Sequence, residues 1–274
     1  MADFRTTHRP YYVDLTDTYN DGLSGWEEDR AAISEWVHSN LAYILDITDP
    51  LTWKNDHHFN HQSLILQEFK TRFVRFNRWL GRILFMQESA DKIIWFAIVS
   101  SANNYRLFHS TIGNNNRPHT DSIATPATEE IVEYNYSNLC RFLIPIDNYE
   151  SEQKSTVWWD LKDRDQYVPG SREHINAIRA KMVDNFSVAS RLCWVSEEFM
   201  DDFEIVSVQN LRGPALLNTA LPHQPYGSID DPDSDIRIAL TLKPTRPDVA
   251  FATLMGERYR GRITYGPSKT ATEL

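Results

Sequence analysis

The chain has 274 residues, of which 41% are hydrophobic and 24% charged, enough apolar material for one large domain or two small ones. Its formal net charge of −10 argues against a broad nucleic-acid surface or an anionic-membrane surface, although a local basic groove is compatible with it. Its two cysteines, Cys140 and Cys193, exclude a disulfide framework and a CxxC zinc motif.

The opening "MADFRTTHRPYYVD" is charged and has no apolar stretch of signal-peptide type, and no apolar run approaches 18 residues. A cytoplasmic protein without membrane spans is the expectation. Residues 1–90 read as a helical N-terminal layer. In "SGWEEDRAAISEWVHSN", Ser24 is a candidate N-cap ahead of an acidic first turn, and Trp26, Ile33, Trp36 and Val37 fall near one face. In "HQSLILQEFKTRFVRFNRWLGRILF", Leu66, Phe69, Phe73, Phe76, Leu80 and Ile83 recur at helical steps. The opposite face, with Lys70, Arg72, Arg75, Arg78 and Arg82, reads as a solvated basic face.

From residue 91 the period changes. "KIIWFAIVS", "YRLFHST", "CRFLIPI", "STVWWDL", "FEIVSVQN", "PALLNT" and "IRIALTLKP" are short runs rich in β-branched and aromatic residues, bounded by Gly, Pro, Asn and Asp. They predict a β-core over 91–245, of sandwich or barrel type. "SREHINAIRAKMVDN" interrupts it as a helix capped by Ser171, and 246–274 reads as a weakly patterned C-terminal extension whose end frays. No internal repeat is present, and the whole chain reads as one domain.

Nine histidines occur, but only one H-x-D or H-x-E triplet, His119-Thr120-Asp121. Downstream, His223 follows a strand-like run and Arg237 opens another, 14 residues later. Two imidazoles and a carboxylate can hold one face of Fe(II) and leave three positions open, two for an α-keto acid and one for O2. The keto acid's far carboxylate needs a fixed cation, and the arginine fork matches it bidentately. On an extended strand Arg237, Ala239 and Thr241 share a face, with a small residue leaving room and Thr241 offering a hydroxyl.

The HTD triplet, "CRFLIPI", "PALLNTALPH" and "RIALTL" together resemble the Fe(II)/2-oxoglutarate-dependent oxygenases, and most closely the aspartyl/asparaginyl β-hydroxylase-like branch. The resemblance covers roughly residues 93–243. It implies a double-stranded β-helix (jelly-roll) core with added helices. It further implies His119, Asp121 and His223 as iron ligands, Arg237 as the 2-oxoglutarate anchor, and Arg141 as a second residue touching the co-substrate. The implied reaction is hydroxylation, with Fe(II), 2-oxoglutarate and O2 consumed or used and succinate and CO2 released. The retained Asp121 favours hydroxylation over halogenation.

Two spacings depart from the compact pattern. His223 lies 102 residues after Asp121, which suggests an insertion over 148–202 that forms a mobile cover on the site. The stretch "DDPDSD" lengthens the step to Arg237. A rival ligand, His174, lies 53 residues after Asp121, but within a helical pattern. His57, His58 and His61 form "HHFNH" without a carboxylate placed for hydrolytic zinc chemistry, and read as a polar helix start. Arg106 and His109 read as rim residues, Trp158 and Trp159 as alternating faces of one strand, and Asn218 and Thr219 as groups that orient His223 or end a strand. Two other classes fit the pattern: a cupin-like metal enzyme without 2-oxoglutarate, against which Arg237 counts, and a non-catalytic jelly-roll binding module. The substrate is open between an amino acid, a peptide side chain and another small metabolite, with Arg106, Arg117 and Arg141 as a local basic patch for an anionic substrate. The sequence leaves the oligomeric state open.

Overall fold

A computed structural model describes residues 10–19, 25–40, 64–84, 94–95, 99–100, 118–120, 140–147, 156–184, 193–209, 213–225, 237–242, 254, 264–266 and 269–270. In chain order these residues form β1 (Tyr12–Asp14), α1 (Thr16–Tyr19), α2 (Trp26–Ser39), α3 (Leu64–Arg72) and α4 (Val74–Leu84). There follow β2 (Ile94–Trp95), β3 (Val99–Ser100), β4 (His119–Thr120), β5 (Arg141–Asp147) and β6 (Thr156–Leu161). Then come α5 (Arg172–Arg179), β7 (Met182–Asp184), β8 (Cys193–Val195), β9 (Phe203–Gln209) and β10 (Ala215–Leu217). The last strands are β11 (His223–Pro225), β12 (Arg237–Leu242), β13 (Thr264–Tyr265) and β14 (Lys269–Thr270).

The N-terminal helices form where the periodicity places them, with two corrections. The N-cap of α2 is Gly25, which makes no side-chain cap, and Ser24 lies outside the described residues. The long basic amphipathic segment is two helices that meet at Phe73. There the Phe73 carbonyl accepts from both the backbone N–H and the side-chain amide of Asn77, each at 2.9 Å. Phe69, Phe73, Phe76 and Trp79 are buried, and rings of Trp36 and Tyr19 pack on them edge-on or tilted. Arg72, Arg78 and Arg82 are exposed, as a solvated face requires. Arg75 differs. Its guanidinium grips Asp29 of α2, which also accepts from Tyr19 of α1. This charged junction ties α1, α2 and α4 together, and α2 lies against β5.

All described strand pairs are antiparallel, and they make two sheets. The eight-stranded sheet runs β14-β13-β1-β10-β5-β12-β2, with β3 also on β12. The six-stranded sheet runs β7-β8-β4-β11-β6-β9. Apolar residues of both join in one core, with Ala215 and Leu217 from the first packed with Trp158, Val195 and Phe203 from the second.

Several strands were hidden by their shortness. β1 lies inside the segment expected to be helical, yet it sits in the interior of the larger sheet between β13 and β10. The tail expected to fray supplies β13 and β14, and Gly266 closes on Tyr12 so tightly that an added Cβ would stand 2.1 Å from its ring. The helix capped by Ser171 does form, with Ser171 Oγ accepting from the His174 N–H. It stops at Arg179, and 182–184 pairs with β8 instead. Within 148–202, β6 lies inside the smaller sheet, between β11 and β9, and Ile175 and Ile178 of α5 pack against the core.

Candidate functional site

The two histidines singled out by the sequence are direct cross-strand neighbours. β4 and β11 pair at His119↔His223, and the ring centres lie 4.7 Å apart. The same register row extends through Trp194 of β8, opposite His119, and Trp158 of β6, opposite His223. Directly opposed residues share a side of the sheet. The four rings therefore form a ladder, with centres 5.0 Å apart at Trp194–His119 and 5.3 Å at Trp158–His223. Trp158 is fully buried in the core and Trp194 nearly so, which places the ladder on the inner side.

The local chain fixes His223. The turn from β10 closes with Leu221 N–H on the Asn218 carbonyl at 3.0 Å. The Pro222 carbonyl accepts from Trp159 N–H at 2.9 Å. His223 Nδ1 lies 3.0 Å from the Leu221 carbonyl, so it carries the proton and the ring's lone pair is on Nε2. Trp158 is held in turn by Gln209, and Trp159 by Gln224, through their indole N–H groups.

The spacing of the two imidazoles is compatible with a shared divalent metal. An imidazole nitrogen sits about 2.1 Å from such a metal, so two rings bound at a right angle have centres about 4.6 Å apart. The pair's 4.7 Å matches that spacing. Among the described residues no three His, Cys, Asp or Glu side chains gather, and Asp121 lies outside those residues. So do His57, His58, His61, Arg106, His109 and Arg117.

His174 has a different role. Its Nδ1 accepts the Gly170 N–H at 3.0 Å, so Nε2–H donates to Asp160 Oδ1 at 2.7 Å. Both ring nitrogens are thus used within the protein, which leaves no lone pair for a metal. Asp160 also accepts from the Tyr11 hydroxyl and, at 2.7 Å, from the Leu161 N–H. Tyr167 stacks on the His174 ring. Burial, reinforced by the Asp160 charge, pushes the Tyr11 phenol far above its ordinary range. Nothing in the sequence signalled this buried Tyr–Asp–His group, because its members are 149 and 14 residues apart.

For the predicted co-substrate residues the backbone register is informative. Arg141 of β5 stands opposite Leu217, which stands opposite Tyr12 of β1. The Tyr12 ring stacks on Trp158 at 6.3 Å, so this row of the larger sheet faces the histidine row of the smaller. Thr241 is opposite Leu143, one step further along. Arg237 is opposite Ser100, next to Ile238, the partner of Asp147. From Arg141 to Asp147 is six residues, about 20 Å of strand. In the larger sheet Arg141 thus shares a register row with Tyr12, Thr241 stands in the next row, and Arg237 opens the opposite end of β12.

No protein-family model, curated protein or solved structure matches this chain.

Proposed function

We propose that the chain is an Fe(II)- and 2-oxoglutarate-dependent oxygenase that hydroxylates an amino acid, a peptide side chain or another small metabolite. The observation that carries this reading is the His119–His223 pair, at cross-strand register and metal-compatible spacing.

The order of strand pairing supports a jelly-roll. Taking β2 with β3 as one strand and omitting β1, β7, β8, β13 and β14 leaves eight. The first pairs with the last (β12), the second (β4) with β11, the third (β5) with β10, and the fourth (β6) with β9. Successive pairs alternate between the two sheets. That is the order of one long hairpin rolled up.

In this reading His119 and His223 hold the iron. Asp121, two residues beyond His119, supplies the carboxylate at a spacing that shares a side in extended chain. When bound, Fe(II) with 2-oxoglutarate and O2 supplies the oxidising power for hydroxylation, releasing succinate and CO2. The chain's own part is orientation and water exclusion. The Leu221 carbonyl sets the His223 tautomer, and the two tryptophans wall the imidazole pair.

The register favours Arg141 over Arg237 as the cation for the far carboxylate of 2-oxoglutarate, with Thr241 one row away. Loss of the bidentate pair costs about 2–5 kcal/mol, or about 30- to several-thousand-fold in affinity. Arg141→Lys should show this loss in a 2-oxoglutarate titration while Fe(II) binding holds. Arg237→Lys should bind 2-oxoglutarate as the wild type does, and the reverse result returns the anchor to Arg237.

The test of the main reading is an anaerobic Fe(II) titration with a succinate-release assay. His119→Ala, Asp121→Ala and His223→Ala should each lose Fe(II) binding and turnover while staying folded. His174→Ala should retain the metal and lose thermal stability. Retained Fe(II) affinity in both His119→Ala and His223→Ala would remove the basis of the proposal.

A further inference from the structure

The two ends of the histidine row differ. Beyond Trp194 the row continues to Val183 of β7, the register partner of Trp194 and so on the same side of the sheet. Exposure along the row is uneven. Trp158 is 0% exposed and His223 is buried, whereas His119 is half-buried and Val183 is 46% exposed.

The Trp158 end is closed. Tyr11 packs edge-on against its ring, Tyr12 stacks on it, and Gln209 accepts its indole N–H. The ring also belongs to the apolar core that joins the two sheets. At the other end Trp194 stands between half-buried His119 and exposed Val183. Its ring is 5.0 Å from the His119 ring and is itself buried, yet its indole N–H has no hydrogen-bond partner among the described residues. Whatever covers Trp194 stops short of Val183, one strand spacing of about 4.8 Å away. A buried donor left unpaired is costly, and an indole N–H can only donate, so its missing partner is an acceptor.

We infer that small molecules reach the histidine pair across β7 and β8, past Val183, and that the Trp194 indole donates to an oxygen of the molecule held there. The direction of approach rests on the exposure of the row. The identity of that molecule, 2-oxoglutarate or the prime substrate, rests on the proposed function. An apolar side chain at the mouth and one donor behind it suit a small ligand with a carboxylate or carbonyl oxygen.

The route is tested with Val183→Cys carrying a bulky maleimide. Both native cysteines are buried, so the label goes to the introduced thiol. Ile205→Cys carries the same label as a control, since Ile205 is exposed on β9 at the opposite end of the same sheet. The metal-free proteins are treated with diethyl pyrocarbonate, and acylation of His119 is read by peptide mass spectrometry. The adduct at 183 should lose most of the His119 modification, and the adduct at 205 should keep it. Equal modification in the two adducts, or none in the unlabelled wild type, overturns the route. The donor is tested with Trp194→Phe, which keeps an aromatic ring beside His119. Its Fe(II) affinity should match that of the wild type. Its affinity for 2-oxoglutarate or for L-aspartate should fall about tenfold to a hundredfold, the loss expected for a hydrogen bond to a charged acceptor. A fall for 2-oxoglutarate alone assigns the donor to the co-substrate, and a fall for L-aspartate alone assigns it to the prime substrate. Unchanged affinity for both probes overturns the indole contact. If wild-type protein takes up no Fe(II) but the adduct at 183 still shields His119, the metal reading falls and the route stands.

Discussion

Among the described residues, Tyr11, Asp160 and His174 form a buried polar group outside the histidine ladder, and their packing sets an expected pH response. The Tyr11 phenol is raised by burial and then by Asp160, and Tyr19 is raised by burial and by its bond to Asp29. In the unfolded chain both phenols ionise near pH 10, whereas in the folded chain they stay protonated above it. The unfolded state therefore binds fewer protons above that pH, and stability falls as pH rises through and beyond 10. Denaturant melts between pH 8 and 11 should show this decline, and Tyr11→Phe should flatten part of it. At neutral pH the same variant should cost about 1–3 kcal/mol, because Asp160 loses a donor in a buried place. A Tyr11→Phe protein as stable as the wild type at pH 7 would remove Asp160 as a point that needs its full set of donors. Of these residue-scale features, the sequence offered only the histidines. His119 stood out through Asp121, and His223 through the strand before it. Their pairing, and that of Trp194 with His119, depends on contacts between distant segments that no local pattern records.

At the scale of elements, α5 shows what periodicity does and does not carry. Gly170 holds a φ of 70°, and Ser171 follows as a cap whose side chain accepts from His174 N–H. Ser171→Ala should destabilise the protein by about 1 kcal/mol, and Gly170→Ala should cost a similar amount through its left-handed backbone. Chemical-denaturation midpoints measure both, and the two losses should appear without any change in Fe(II) affinity. The cap was legible because Ser followed by Glu two residues later is a local signal. The helix end was not, because Ile175, Ile178 and Met182 keep a helical step past Arg179. What stops the helix is the pairing of Met182 with Val195. The same logic explains the missed strands β1, β13 and β14. Elements of two or three residues span too little chain to show an alternation. The longer runs of β5, β6, β9 and β12 showed it plainly.

For the whole molecule, the larger sheet joins the two ends of the described chain. β1 pairs with β13 on one side and β10 on the other, so it is an interior strand and no detachable arm. Removing residues 1–15 should therefore abolish cooperative unfolding, not merely lower the melting temperature, and a calorimetric scan will distinguish the two. Persistence of a sharp transition in the truncated chain would show that β10 and β13 can close without it. The helical layer and the β-core were legible as two compositions in sequence, but their order in space was not, since β1 belongs to the sheet although it precedes every helix. This has a consequence for synthesis on the ribosome. Once Asp14 has been made, about 200 more residues must be polymerised before Ala215 appears to pair with it, and Thr264 comes later still. At about 5–20 residues per second that wait is about 10–40 seconds. During it the Tyr-Tyr-Val edge is an unpaired apolar strand in a crowded cell, the kind of segment that a nascent-chain chaperone must shield.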